Sequence, residues 1–320
     1  MMARMHLTLQ QLRLFEAVSR HRHFTRAAEE LHLTQPAVSI QLRRLEENVG
    51  AKLFEHIGKR FFLTPAGHEM QAACNDILGR LQVLEQSLDS LDDTLKGPLR
   101  LSVVTSTKYF LPHLLGSFIV DHPAVLPRLI VTNRERVIER LVENLDDFVI
   151  MGQAPDDLAV EAHPFYENLI VVAAHTQHPL SAVRSIPPLQ IARERWLVRE
   201  AGSGTRSAFD RYLIENDLAI TPYMELGSTE AIKQGVMAGL GVSVLPISSM
   251  QLELTNGCLA VLDVQGFPLC RRWNAVWLKG KTLSPVARAF VDFLLAGASS
   301  DRTSPLVGGR PSVSNAPGNS

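Results

Sequence analysis

Phe24-Thr25-Arg26-Ala27-Ala28-Glu29-Glu30-Leu31, then His32-Leu33, then Thr34-Gln35-Pro36-Ala37-Val38-Ser39-Ile40 is the run from which the rest of the chain can be read. Thr25 is placed to cap a short helix over residues 26–31, and Thr34 to cap a second that runs to about Val49. Pro36 falls in the first turn of that second helix, where a missing N–H costs nothing. Two short helices joined by a tight turn, with Ala27-Ala28 inside the first, form a helix-turn-helix pattern. Just upstream, residues 8–19 carry Leu9, Leu12, Phe15 and Val18 on one stripe, which predicts a supporting helix.

The helix that begins at Thr34 has two faces. Val38, Leu42, Leu45 and Val49 follow the spacing of a buried stripe. Gln35, Ser39 and Arg43 recur every four residues on a neighbouring face, beside Pro36 and Ile40. An amide, a hydroxyl and a guanidinium on one face can read base edges in a major groove. On an isolated helix such a face is more often merely solvated. The residues after the helix shift the balance: two short apolar runs, residues 52–55 and 61–63, flank a turn with Gly58-Lys59-Arg60 at its tip. A two-stranded wing with Lys59 and Arg60 at its end can reach DNA phosphates. Helix-turn-helix plus basic wing is far more specific than either part.

Thr64-Pro65 starts another helix, and from it Met70, Cys74, Ile77, Leu81, Leu84, Leu88, Leu91 and Leu95 alternate by fours and threes up to Gly97-Pro98. A heptad seam held this long predicts a coiled-coil dimer, which would pair two reading heads. The charge divides accordingly. The chain carries −1 overall; residues 1–67 sum to +4 and the remainder to −5, a basic head on an acidic body.

Beyond Pro98, short apolar runs (99–104, 129–131, 148–151, 169–174, 196–198, 242–245, 275–278) alternate with helical stretches, as in α/β lobes. Ligands in such sheets sit at the carboxyl ends of strands, under helix N-termini. Three junctions fit: Thr105-Ser106-Thr107 after the first strand, Gly202-Ser203-Gly204-Thr205-Arg206, and Gly227-Ser228-Thr229. The second is the best anion cradle, with free backbone N–H groups, two hydroxyls and the Arg206 charge. Ser and Gly at a helix start also serve as ordinary caps.

The head, in order and without gaps, resembles the LysR-type signature: residues 24–31, 34–39, then Leu45-Glu46 through Leu53-Phe54-Glu55 and Leu63-Thr64-Pro65-Ala66-Gly67. In that family the positions of Gln35, Pro36, Ser39 and Ile40 face the groove. Many members have a polar residue where this chain has Ile40, which leaves a thymine methyl as its partner. The resemblance implies a multidomain chain: an all-α winged helix-turn-helix head with a long linker helix, then two α/β lobes of periplasmic-binding-protein type. The expected boundaries are 1–64 for the DNA-binding head, 65–97 for the linker helix, 98–170 with 271–298 for lobe I, and 171–270 for lobe II. Residues 299–320, rich in Ser, Pro, Gly and Asn, are expected to form a disordered tail.

Residues 198–206 together with Thr105-Ser106-Thr107-Lys108-Tyr109-Phe110-Leu111-Pro112 look like the CbbR branch, regulators of carbon-fixation operons that sense phosphorylated or nucleotide metabolites. The implied partners are double-stranded operator DNA, a second copy through the linker helix and a tetramer built from dimers, with RNA polymerase admitted as a further contact. The implied effector is a small anion held by Thr105, Ser106, Thr107, Ser203, Gly204, Thr205, Arg206 and Thr229. A regulator of another operon, sensing a carboxylate or aromatic acid, is the nearest alternative; a two-lobed receptor or enzyme is the alternative of a different class.

Composition argues against the latter. Gly280-Lys281-Thr282 resembles the end of a P-loop, but Ala275 stands where that pattern needs Gly. Gly202-Ser203-Gly204 is not a nucleophile elbow, and no His-Glu-x-x-His motif occurs. Cys74, Cys258 and Cys270 are few and far apart, which predicts neither disulfides nor a metal site. No apolar run is long enough for a bilayer and the N-terminus lacks the apolar core of a signal peptide, so a cytoplasmic, cofactor-free protein is expected.

Overall fold

The structure, a computed structural model, describes residues 6–57, 60–89 and 94–299. The head is built from α1 (Leu9–His21), α2 (Phe24–Glu30), α3 (Gln35–Val49) and the hairpin β1 (Phe54–Ile57) and β2 (Arg60–Leu63). Thr8 and Gln11 form a reciprocal capping box on α1, and Thr34 accepts from the Ala37 N–H to start α3. Thr25 does not cap α2. That helix begins at Phe24 with His23 at the cap, and the Phe24 ring lies 4.8 Å from that of Phe61 in the wing. Ring packing, rather than a hydroxyl, sets this helix start.

Leu12, Phe15, Val18, Ala27, Ala28, Val38, Leu42 and Leu45 close into one core with Leu53 and Phe54. The Glu46 carboxylate, near the end of α3, accepts from the Leu53 N–H at 2.9 Å and pairs with Lys52 at 2.7 Å. The wing is thereby held at a set angle to α3. Its tip residues Gly58 and Lys59 lie outside the described residues.

α4 (Pro65–Asp89) leaves the head after Thr64, whose hydroxyl caps it through the Gly67 N–H at 3.0 Å. At about 1.5 Å per residue its 25 residues span about 37 Å. The expected seam divides along its length. Met70 and Cys74 are buried in the head core, whereas Ile77, Leu84 and Leu88 are exposed on the single chain. The helix does not extend to residue 97: residues 94–96 are non-helical, and Leu95 packs on the core of the body. Leu91 lies outside the described residues.

The body holds β3 (Gly97–Val104), α5 (Leu111–Asp121), β4 (Val125–Thr132), α6 (Arg134–Val142), β5 (Phe148–Met151), β6 (Val160–His175), α7 (Pro188–Ile191), β7 (Leu197–Arg199), α8 (Gly204–Glu215), β8 (Met224–Leu226), α9 (Thr229–Met237), β9 (Ser243–Pro246), α10 (Gln251–Thr255), β10 (Leu259–Leu262), β11 (Leu269–Leu278) and α11 (Pro285–Ser299). Of the expected tail, Ser299 ends α11, and residues 300–320 lie outside the described residues. Strands β4, β3 and β5 pair in parallel; β11 runs antiparallel to β5 and to β6, and β6 continues to pair with β9 and β10.

Two long strands therefore serve both lobes. The first half of β6 pairs with β11, and its second half carries lobe II: Ile170, Val172 and Ala174 face one core, Val171 and Ala173 another. Lobe I packs Leu99, Leu101, Val103, Phe118, Phe148 and Phe290 into its own core. Alternating burial of this kind, helices on both faces, explains why each strand reads as an unbroken apolar run.

Candidate functional site

On α3 the structure brings together most of the residues singled out for DNA. Thr34, Gln35, Pro36, Ile40 and Arg43 are exposed, Ser39 is half-buried among them, and the Gln35 amide donates to the Ser39 hydroxyl at 3.1 Å. Val38, Leu42 and Leu45 are buried on the opposite side, so the helix's polar face is the one left free. Arg60 begins β2 opposite Ile57, next to the undescribed tip at Lys59.

The second site is a cleft between the lobes. Every wall is the carboxyl end of a parallel strand. β3 ends in Val104, Thr105 and Ser106; β4 leads through Asn133 to Arg134; β5 ends in Met151, followed by Gly152 and Gln153. From lobe II come Arg199 and Glu200 at the end of β7, with Ser203, Gly204 and Thr205 at the start of α8. Asn168, Ile170, Arg271 and Trp273, on the two strands shared by the lobes, form the floor. Asn168 faces Arg271 in register.

Two helix N-termini, those of α6 and α8, open on this cleft. Asn133 caps α6 by accepting from the Arg136 N–H at 2.9 Å, whereas Ser203 makes no side-chain cap on α8. Free N–H groups at such an end, with the helix dipole behind them, favour an anion. The side chains agree: Arg134, Arg199 and Arg271 against the single carboxylate Glu200. Two buried floor atoms, the Asn168 carboxamide oxygen and the Trp273 indole N–H, have no hydrogen-bond partner among the described residues.

The predicted effector residues fall into two groups. Thr105, Ser106, Ser203, Gly204 and Thr205 line the cleft. Thr107, Thr229 and Arg206 do not. Thr107 is buried and its hydroxyl donates to the Val104 carbonyl at 2.8 Å, closing the turn after β3. Thr229 is buried too, and its hydroxyl accepts from Arg199 at 2.8 Å. Arg206 is turned away from the cleft: one turn into α8, it bonds Asp210 at 2.8 Å and the Arg199 carbonyl at 3.1 Å, and lies 3.6 Å from Glu225.

The cation delivered to the cleft from this segment is Arg199, whose side chain is 4% exposed and forked on Glu200. Burial pushes the Glu200 carboxyl up, but the Arg199 hydrogen bonds and charge outweigh it and hold it below the usual carboxylate range. Asn133, Gly152, Asn168, Arg271 and Trp273 escaped the sequence reading. Only Asn133 carried a local signal, an Asn directly before a helical run; the others reach the cleft through strand pairing distant in sequence.

A further contact ties the lobes beside the cleft. The Tyr109 hydroxyl donates to Glu230 at 3.2 Å, and the buried Lys233 ammonium sits 5.0 Å from the Tyr109 ring while bonding Glu253 at 2.6 Å. Among the described residues no helix is long and apolar enough to cross a membrane, and no group of His, Cys, Asp and Glu is placed to hold a metal ion.

The head and the body each match a known family model. Residues 9–68 match the bacterial regulatory helix-turn-helix model of the lysR family, and residues 92–299 match the LysR substrate binding domain. The chain is 45% identical over 302 residues to a RuBisCO operon transcriptional regulator of Acidithiobacillus ferrooxidans, covering 94% of this chain and 98% of that one. It is 44% identical to the transcriptional activator CmpR of Synechocystis over 289 residues, covering 90% and 95%.

Among solved structures, the body resembles the CcmR regulatory domain of Synechocystis PCC6803 in complex with 2-PG, with a TM-score of 0.62, 38% identity, and coverage of 64% of this chain and 99% of that one. Full-length OxyR of Pseudomonas aeruginosa shares the fold along 96% of this chain and 99% of that one, with a TM-score of 0.77 at 24% identity. The chain belongs to the LysR family of DNA-binding transcriptional regulators, with a helix-turn-helix head and a two-lobed periplasmic-binding-like substrate domain.

Proposed function

We propose that the protein regulates a carbon-fixation operon, binding its operator through α3 and the wing and responding to a small phosphorylated acid in the interlobe cleft. The observation that carries this is the cleft itself: three arginines and two helix N-termini converge on one interlobe site. An ester such as 2-phosphoglycolate brings two to three negative charges to such a surface and a carboxylate able to accept from the floor. The relatives named for RuBisCO operons and the relative solved with 2-PG support the same reading.

In this reading Gln35, Ser39 and Arg43 meet base edges, with Thr34, Pro36 and Ile40 alongside, and Lys59 and Arg60 meet phosphates. Thr105 and Ser106 meet the anion from lobe I, and Ser203, Gly204 and Thr205 from lobe II. Arg199 takes the charge-bearing part that the sequence pattern assigned to Arg206, and Thr229 orients it. The working form is a dimer through α4, doubled to a tetramer, since a two-fold operator requires paired heads.

The test is a gel-shift titration on the DNA upstream of the carbon-fixation genes of the source genome, with and without 2-phosphoglycolate. A specific complex whose affinity or footprint changes with the ester is expected. Specific binding that answers only to aromatic acids would overturn the effector assignment, and no preference for that DNA over random sequence would overturn the operon assignment.

A further inference from the structure

Arg199 is a guanidinium already in use. Its Nε and one terminal nitrogen donate to the two Glu200 oxygens at 2.7 Å each, and the other terminal nitrogen donates to Thr229 at 2.8 Å. A planar fork meeting both oxygens of a carboxylate is the geometry with which Arg binds a phosphate or carboxylate ligand. Glu200 occupies that edge from inside the cleft and is itself part of the lining. The two partners differ in freedom. Arg199 is held on two further sides, by Thr229 at its tip and by Arg206 at its carbonyl, and its side chain is 4% exposed; the Glu200 side chain is 28% exposed and its carboxylate has no other side-chain partner among the described residues.

We infer that Glu200 is a built-in competitor for the effector anion: it holds the Arg199 fork in the ligand-free receptor and swings out when the ligand takes its place. This rests on the anionic-effector reading above. A dianion at the α8 N-terminus and a carboxylate on the neighbouring fork repel each other. Exchange of one oxyanion pair for another removes that repulsion while keeping Arg199 paired throughout, so the buried cation is never stranded. The consequence is an affinity set below what the cleft could reach. It also yields a discrimination by charge, because a monoanion offers Arg199 no more than Glu200 does, whereas a phosphate monoester does.

The experiment is calorimetric titration of the full-length protein with 2-phosphoglycolate and with inorganic phosphate, on wild type, Glu200→Gln, Arg199→Gln and the double variant. Glu200→Gln is close to isosteric and keeps an acceptor for Arg199; it is expected to bind both probes about tenfold more tightly. In the Arg199→Gln background the same change should give less than about a twofold gain, because the contested fork is gone. If Glu200→Gln weakens binding or leaves it unaltered while wild type binds, Glu200 is a positioning residue or a ligand contact and the competitor role is overturned. A full gain in the Arg199→Gln background also overturns it, by showing that Glu200 acts through cleft charge alone. Absence of binding to wild type and Glu200→Gln alike overturns the anionic-effector reading and this inference together.

Discussion

Gln35 and Ser39 stand one turn apart on α3, and their 3.1 Å hydrogen bond holds the amide in place before any base arrives. In the base-reading role proposed for α3, such preorganisation would lower the cost of fixing a contact to a base edge. Gln35→Ala and Ser39→Ala should each weaken specific operator binding by about 1–3 kcal/mol and leave binding to random DNA nearly intact. Lys59→Ala and Arg60→Ala should weaken both and reduce the salt dependence by about one unit of slope. Anisotropy titrations on operator and random duplexes over a salt series separate the two classes; equal losses on both duplexes for all four would refute this division of labour. Cys74 makes a second case at this scale. Burial, helped by Glu16, pushes its thiol up to about 12, so almost no thiolate exists near neutrality. In native protein at pH 8, iodoacetamide should label the exposed Cys258 and Cys270 and spare Cys74, as read by peptide mass spectrometry.

α4 shows how one heptad pattern can serve two partners. Its first turns bury Met70 and Cys74 against the head, while Ile77, Leu84 and Leu88 further along project from the single chain. A stripe that is apolar, regular and uncovered fits a second helix of the same kind. Leu84→Glu or Leu88→Glu would place a charge in that seam and should cost several kcal/mol of association, with loss of operator binding and unaltered unfolding of the body. Sedimentation velocity reads the outcome, and an unchanged oligomer in both variants would remove α4 as the dimer interface.

Across the whole molecule α6 spans from the cleft to the linker helix. Its N-terminal end, Asn133 and Arg134, lines the cleft, and the Glu143 carbonyl just past its C-terminal end accepts a hydrogen bond from Asn75 of α4. The same corner is braced by the Arg140–Asp146 pair at 2.6 Å and by Lys281 on Asn144. A nine-residue helix with one end at the cleft and the other on the linker can carry a displacement between them. Asn75→Ala should therefore leave 2-phosphoglycolate affinity within about twofold, since the cleft is untouched, while reducing the effector-induced change in operator affinity. Calorimetry and gel shifts on the same preparation check this; an undiminished response would place the coupling elsewhere.

The head was legible from residues 24–67 alone because its information is local. Caps at Thr34 and Thr64, the proline after Thr34 and the stripe through Val38, Leu42 and Leu45 act within a few residues of one another. Thr25 misled because a ring contact with Phe61, 37 positions beyond Phe24, outweighed a local capping signal. The body's alternation of apolar runs and helices was likewise readable, as were the lining residues Thr105 and Ser106 after a strand and Ser203 to Thr205 at a helix start. Pattern could not show that β6 and β11 each run through both lobes, since a strand's partners are chosen by pairing over a hundred residues apart. That pairing brings Asn168, Arg271 and Trp273 to the cleft floor. The exchange of Arg206 for Arg199 has the same origin: two arginines seven residues apart offer identical charge, and it is the end of β7, the Thr229 hydroxyl and the Asp210 carboxylate that point one into the cleft and the other away.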